Sequence, residues 1–380
     1  MKLKKIISSA TALALSALML AGCSGSSDSG SSTTSANNTT TAANSTTTTA
    51  VKNDDIAANE SEGAVVDNTE GDADLVITAS EVNIAIQPSA SFTPLYIVRE
   101  KGWLEEALAE YNVTVNWNDF ESGPPMNESL AAGASDIGVI GDVPVVSAIA
   151  AGQNNPVIAI ASHAPASYGL VVAADSDITS AADLKGKTLA TTIGSTSHEH
   201  IDMLLAVNGI DINTDIQLVN ISTGDAATVL ANHEADAVAL WEPNITRLVD
   251  SGTAKLIATG DDCGLLGVNP IVARAEFADQ NPGIIKIYIE QFARAVKEFD
   301  NLDQETLQKI ADDLSLTPEQ VLSIKPKYDY VVRITDEDAP NLQKTIQFLV
   351  KIGNLDEEYD INNFIRPEYT QNADIAQYLD

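Results

Sequence analysis

Basic residues are scarce in this chain. Lys and Arg number 21 against 54 Asp and Glu, a formal charge of −33. Nucleic-acid binding needs basic surface to displace counterions, so that class is excluded. Cysteine is scarcer still, with only Cys23 and Cys263, and no paired-cysteine zinc motif is possible. The four histidines are His163, His198, His200 and His233. His198 and His200 diverge on a helix and cannot share a metal as an i, i+4 pair can. No Walker loop or dinucleotide fingerprint occurs, and the neighbours Ser197 and His198 do not make a triad. No metal, cofactor or catalytic residue is therefore expected, and the chain does not read as an enzyme. Long apolar runs are missing too. The run Ile6 to Leu20 is broken by Ser8, Ser9, Thr11 and Ser16, too short and too interrupted for a membrane span.

That run is informative in another way. Lys2, Lys4 and Lys5 precede it, and Leu20-Ala21-Gly22-Cys23 ends it. Basic start, apolar centre and small residues are the marks of an export signal over 1–22. Small residues before a cysteine resemble the lipobox of bacterial lipoproteins. This resemblance implies cleavage before Cys23, its acylation, and a lipid anchor on the extracytoplasmic face of a membrane; the alternative is an ordinary secretory signal that contains a cysteine. Acyl chains contribute about 0.8 kcal/mol per buried methylene. Residues 23–79 follow as a tether dominated by Ser, Thr, Asn, Ala, Gly and Asp, with threonine runs at 39–41 and 46–49. Such composition buries too little apolar surface to fold, so disorder is expected, with a mean span of about 40 Å. With Cys23 acylated, Cys263 is left alone as a packing residue.

From residue 80 the chain alternates strands and helices. Strands are expected at Val82–Ile86, Val113–Trp117, Ile137–Ile140 and Val157–Ala161. Helices are expected from Thr93, as cap, towards Glu110, over 126–132, and over Val143–Ala151. This rhythm predicts an α/β fold with a parallel sheet covered by helices. It then restarts, with strands at Leu170–Ala174, Thr188–Thr192, Ile216–Asn220 and Ala237–Leu240 and helices at His198–Val207 and Ala226–Ala231. Leu130, Asp136 and Pro144 in the first stretch match Leu230, Asp236 and Pro243 in the second. Two lobes of one design follow: lobe I over 80–168 and 265–380, lobe II over 169–264. After Gly264 come a strand at Val268–Ala273 and helices near 282–299, 304–313, 318–326 and 339–351. Crossings near His163–Gly169 and Asp261–Asn269 make a two-segment hinge.

In sheets of this kind ligands sit beyond the carboxyl ends of the strands. The candidate ligand contacts are accordingly Gln87, Ser89 and Ser91; Ser122 and Gly123; Gly141 and Asp142; Gly194, Ser195, Thr196 and Ser197; and Trp241 and Glu242. The loop Gly194 to Ser197 opens a helix, where unpaired backbone N–H groups and the positive end of the helix dipole favour an anion. Ser195 or Ser197 as a plain helix cap is the competing reading. Trp241 either walls the ligand or packs between lobes. Asp142 and Glu242 hold matching places, and capping is the simpler role for Asp142.

The stretches Tyr96–Trp103, Ser122–Pro144, Ala151-Gly152, Asp183–Lys187, Gly194–His198 and Ala235–Pro243 together resemble the substrate-binding proteins of aliphatic sulfonate, taurine and nitrate ABC importers, in the thiamine-pyrimidine-binding-like group. The resemblance implies a type II periplasmic-binding-protein fold that closes on a small anion at the loops named above, a monomer, and delivery to a permease and its ATPase. Asn232-His233-Glu234 replaces the usual glycine before Asp236, and Asn232 is the residue expected to supply the left-handed conformation.

Overall fold

A computed structural model describes residues 75–379. The expected signal segment, Cys23 and the expected tether up to residue 74 lie outside the described residues. The tether's expected end is corrected. The Asn281 side-chain oxygen accepts from the N–H groups of Thr78 and Ala79 at 2.8 and 2.7 Å, and Val76 O accepts from Gly283 N at 3.1 Å, so this stretch docks on the fold.

Ten strands make two five-stranded sheets. The first holds β1 (Glu81–Ile86), β2 (Thr114–Asp119), β3 (Ile137–Val139), β4 (Val157–His163) and β10 (Val268–Ala273), in the order β2-β1-β3-β10-β4. The second holds β5 (Tyr168–Ala173), β6 (Thr188–Thr191), β7 (Gln217–Asn220), β8 (Ala237–Trp241) and β9 (Ala254–Thr259), in the order β7-β6-β8-β5-β9. Each sheet with its helices is called a lobe below. Apolar clusters cover both faces of each sheet, as buried central strands require.

The sheets are mixed, which corrects the expectation of parallel sheets. β10 runs antiparallel to β3 and β4, and β5 antiparallel to β8 and β9. The reason is the crossing. β5 and β10 are the strands on which the chain enters a new lobe, and both start at the edge where the parallel strands end. A strand that starts at that edge has to run the other way.

Several local readings change. The segment from Thr93 is two helices, Thr93–Lys101 and Trp103–Ala109, broken at Gly102, whose φ of 64° is left-handed. Thr93 is already helical, because a 3-10 turn over Ala90–Phe92 precedes it, and its hydroxyl donates to Ala90 O at 2.8 Å. Before Asp236 the left-handed residue is His233 (φ 54°), not Asn232. It stands where lobe I has Gly133 (φ 70°). The helix Asn244–Asp250 and strand β9 have no counterpart in the sequence reading. The burial of β9 follows no clean alternation, and its pairing with β5 shifts register at Leu170/Val171.

Candidate functional site

The carboxyl ends of the parallel strands in the two sheets face each other across a cleft. Gln87, Ser89, Ser122, Gly123, Pro124, Gly141, Pro144, Tyr168, Ser195, Thr196, Trp241 and Asn269 line it, around a cavity of about 30 Å³. That is room for roughly two waters, so an organic ligand must extend out of the cleft or spread the lobes.

Three helices begin here: Gly123–Ala131, Asp142–Ala150 and Thr196–Val207. Their cap residues, Ser122, Gly141 and Ser195, all line the cleft. None makes a side-chain capping bond. The Ser195 hydroxyl donates to Thr192 O at 2.7 Å instead. The reading of Ser195 as a plain cap is thereby removed. All three helix starts present positive dipole ends, but free N–H donors are few at two of them. Pro124, Pro125 and Pro144 have none, and Val143 N is taken by Asp142 Oδ1, which leaves the start at Thr196 with the fullest set.

The side chains add neutral polar groups. Gln87 is 7% exposed and its Oε1 has no partner. Buried polar groups in folded proteins are nearly always paired, so this amide is aimed at something the cleft is built to hold. Burial pushes the Tyr168 phenol far up, which keeps it a donor; it faces Thr196 and Asn269. The Asn269 amide donates to Gly267 O at 3.1 Å. No Lys, Arg, His, Asp or Glu is among the lining residues.

Close packing at the cleft depends on glycine at two positions, between the lobes at Gly141 and within lobe I at Gly123. A Cβ on Gly141 would lie 2.6 Å from Thr196 Oγ1 in the opposite lobe, and one on Gly123 would lie 2.7 Å from Pro144 Cγ.

Of the expected contacts, Gln87, Ser89, Ser122, Gly123, Gly141, Ser195, Thr196 and Trp241 come together in the cleft. Five face elsewhere. Ser91 is buried against the Ser89 hydroxyl at 2.8 Å. Gly194 (φ 82°) shapes the turn into the helix. Ser197 is fully buried with an unpartnered hydroxyl. Asp142 Oδ1 accepts from Val143 N at 2.8 Å and, across the lobes, from Thr196 Oγ1 at 2.6 Å. Burial pushes its carboxyl up to about 6. Glu242 accepts from Thr246 N and Oγ1, both at 3.1 Å, and pairs with Lys327. Tyr168 and Asn269 were absent from the expectation. They sit at the beginnings of β5 and β10, and a rule that looks only at strand carboxyl ends passes over them.

Two lobes with one topology, joined by two crossings and facing across a polar cleft, define a periplasmic-binding-protein fold. Solved structures agree. The periplasmic aliphatic sulphonate binding protein SsuA of Escherichia coli superimposes with a TM-score of 0.69 at 24% identity, over 76% of this chain and 93% of that one. The alkanesulfonate-binding protein SsuA of Xanthomonas axonopodis pv. citri, bound to MOPS, gives 0.70 at 22%, over 76% and 99%. The NMT1/THI5-like family model matches residues 89–300, and the chain belongs to that family. A "Putative aliphatic sulfonates-binding protein" of Bacillus subtilis (strain 168) is 28% identical over 296 residues, 77% of this chain and 88% of that protein. The taurine-binding periplasmic protein of Escherichia coli (strain K12) is 27% identical over 219 residues, 56% and 65% respectively. These relatives are binding proteins, not enzymes.

Proposed function

We propose that the chain captures a small organic anion, an aliphatic sulfonate or a taurine-like molecule, for an ABC importer. The observation that carries this reading is the convergence of three helix dipole ends, with the free N–H donors of the start at Thr196, on a cleft whose lining side chains are all uncharged. Fixed neutral donors replace the anion's water without supplying a full countercharge, and they act where the dielectric is low. The relatives named for sulfonates and taurine support the ligand class. In this reading the lobes divide near residues 169 and 265 and close on the ligand as a monomer. Cys23 carries the lipid anchor on the extracytoplasmic face, and a permease and ATPase receive the cargo.

The test is a thermal-shift panel of the purified protein with alkanesulfonates, taurine, nitrate, bicarbonate and thiamine pyrimidines. A ligand at 1,000 times its dissociation constant stabilises by about 4 kcal/mol, a large shift. Response to a sulfonate supports the reading; response only to a heterocycle overturns the anion site. Trp241 and Tyr168 in the lining favour that second reading, a heterocycle stacked on an aromatic ring. Trp241→Ala separates the two. It removes most affinity for a stacked heterocycle and leaves a small sulfonate bound.

A further inference from the structure

Behind the ligand cleft lies a second inter-lobe cavity, of about 20 Å³. Its wall carries Asp142 from lobe I and Glu199 from lobe II, with Lys344 and Thr345 of the helix Asp338–Lys351 and the crossing residues around Gly267. Asp142 is 3% exposed and Glu199 4%. Each sits in the first turn of a helix that starts at the cleft, one residue after Gly141 and three after Thr196.

The surroundings do not neutralise two charges. Asp142 accepts from Thr196 and Val143, and the Val268 backbone lies alongside it. Glu199 Oε2 accepts from Thr345 Oγ1 at 3.3 Å. The charged or titratable neighbours of the pair are these. On the helix of Glu199, Asp202 is engaged by Lys351 at 2.7 Å, and His198, packed edge-on to Phe348, is held below its usual value by burial. On the helix opposite, Lys344 attracts Glu199 from beyond salt-bridge contact. From the crossings, Tyr168 and Cys263 approach, both pushed up by burial. His200 turns into the core of lobe II. Two carboxylates from different lobes, buried together without a cation in contact, do not both stay ionised at small cost.

We propose that Asp142 and Glu199 share one proton, taken from solvent as the lobes close, so that the closed protein holds one proton more than the open one. The closure itself rests on the binding reading above. Burial moves both carboxyls up, Asp142 to about 6 and Glu199 well above its ordinary value, and their mutual repulsion adds to this. Hydrated in an open form, both titrate near 4. Closure is then favoured at low pH and loses support as pH rises past about 6, the value of Asp142, through the raised value of Glu199. Linkage predicts binding about tenfold weaker at pH 8 than at pH 5. Among the described residues no group of three or more His, Cys, Asp or Glu is placed to hold an ion, which favours a proton over a metal as the occupant.

The first experiment is infrared difference spectroscopy of the full chain at pH 6, with ethanesulfonate minus without. Closure should raise the carbonyl stretch of a protonated carboxyl, lost in Glu199→Gln and again in Asp142→Asn. A wild type without that band overturns the shared proton. The second is calorimetry with ethanesulfonate at pH 5 and pH 8, in buffers of different ionisation enthalpy. Wild type should take up close to one proton and weaken about tenfold at pH 8; Glu199→Gln should take up almost none and bind equally at both. Equal wild-type affinity without proton uptake overturns the linkage. Affinity lost when sodium is replaced by choline, again without proton uptake, overturns the proton in favour of a metal cation. If no sulfonate binds at either pH, the sulfonate reading fails, and the ligand that responds in the thermal-shift panel replaces ethanesulfonate in both experiments to decide the pair.

Discussion

The two lobes follow one plan, and their differences show what each part of it does. Both sheets place three parallel strands, one antiparallel crossing strand and an outer strand in the same order. Both contain an aspartate that ties two neighbouring parallel strands, β1 to β3 in lobe I and β6 to β8 in lobe II. Asn83 N donates to Asp136 Oδ2 and Thr188 N to Asp236 Oδ2, each at 2.8 Å. In return Asp136 N donates to Asn83 O and Asp236 N to Thr188 O, at 2.7 and 2.8 Å. What differs is the setting. Asp136 is 4% exposed at its side chain and paired with Arg274 at 2.7 Å; Asp236 is 36% exposed with Lys187 at 3.6 Å. Arg274, just after β10, covers the aspartate of lobe I with its side chain and its backbone N–H, while lobe II leaves its own at the surface.

That contrast gives the largest expected effect. Asp136→Ala breaks a buried ion pair and strips two hydrogen bonds, and should cost about 3–5 kcal/mol in urea unfolding. Asp236→Ala leaves the Thr188 N–H without an acceptor at a wetter position, and should cost about 1–2 kcal/mol. Equal losses would show that burial does not distinguish the two sites.

The histidines set the lobes apart in pH dependence. In lobe II, burial holds His200 down at about 4, against smaller upward pulls from the Thr259 backbone and Asp262. Its folded value lies below its unfolded one, so stability falls as pH drops from about 6.5 towards 4, by up to about 3 kcal/mol. His200→Leu should flatten that acid slope in stability curves. In lobe I, the Asp338 carboxylate 2.6 Å away raises His163 above its usual value, against the opposing pull of burial. The sign reverses. This pair's contribution is complete below about 6.5 and is lost as pH rises through the raised value. His163→Gln should remove the dependence on the neutral-to-alkaline side and leave the acid side as it is.

Smaller effects probe the seam between the lobes. Thr196→Val removes the bond to Asp142 across the lobes, and should weaken binding of a responding sulfonate about tenfold, the worth of one bond to a charged group. Ser197→Ala, whose hydroxyl lies outside the cleft, should leave calorimetric affinity within about twofold. Lys351→Ala, at a pair whose lysine is 48% exposed, should change stability by about 1 kcal/mol or less and vanish in high salt.

Much of this architecture was legible in the chain. Strand and helix positions through both lobes could be read because apolar alternation and Gly stops mark them locally. The matched Leu130–Asp136 and Leu230–Asp236 spacings announced the repeat. The loops that hold Ser122, Gly141 and Ser195 were marked for the same reason, but their helices begin one to three residues earlier than the expected 126, 143 and 198. Strand β9 escaped, because a register shift blurs its alternation. The left-handed His233 escaped as well, because its conformation answers to the strand that follows and not to its own preference.

The sequence by itself determined the two-lobe plan, the acidic balance that excludes nucleic acid, and which loops meet at the cleft. Those properties depend on composition and on spacing along the chain. Only the tertiary structure decided which hydroxyls face the ligand, that Tyr168 and Asn269 join them, and that Asp142 meets Thr196 across the lobes and shares a cavity wall with Glu199. Each of these depends on the direction in which a chain enters a second sheet and on contacts between residues far apart in sequence, and no local pattern encodes either.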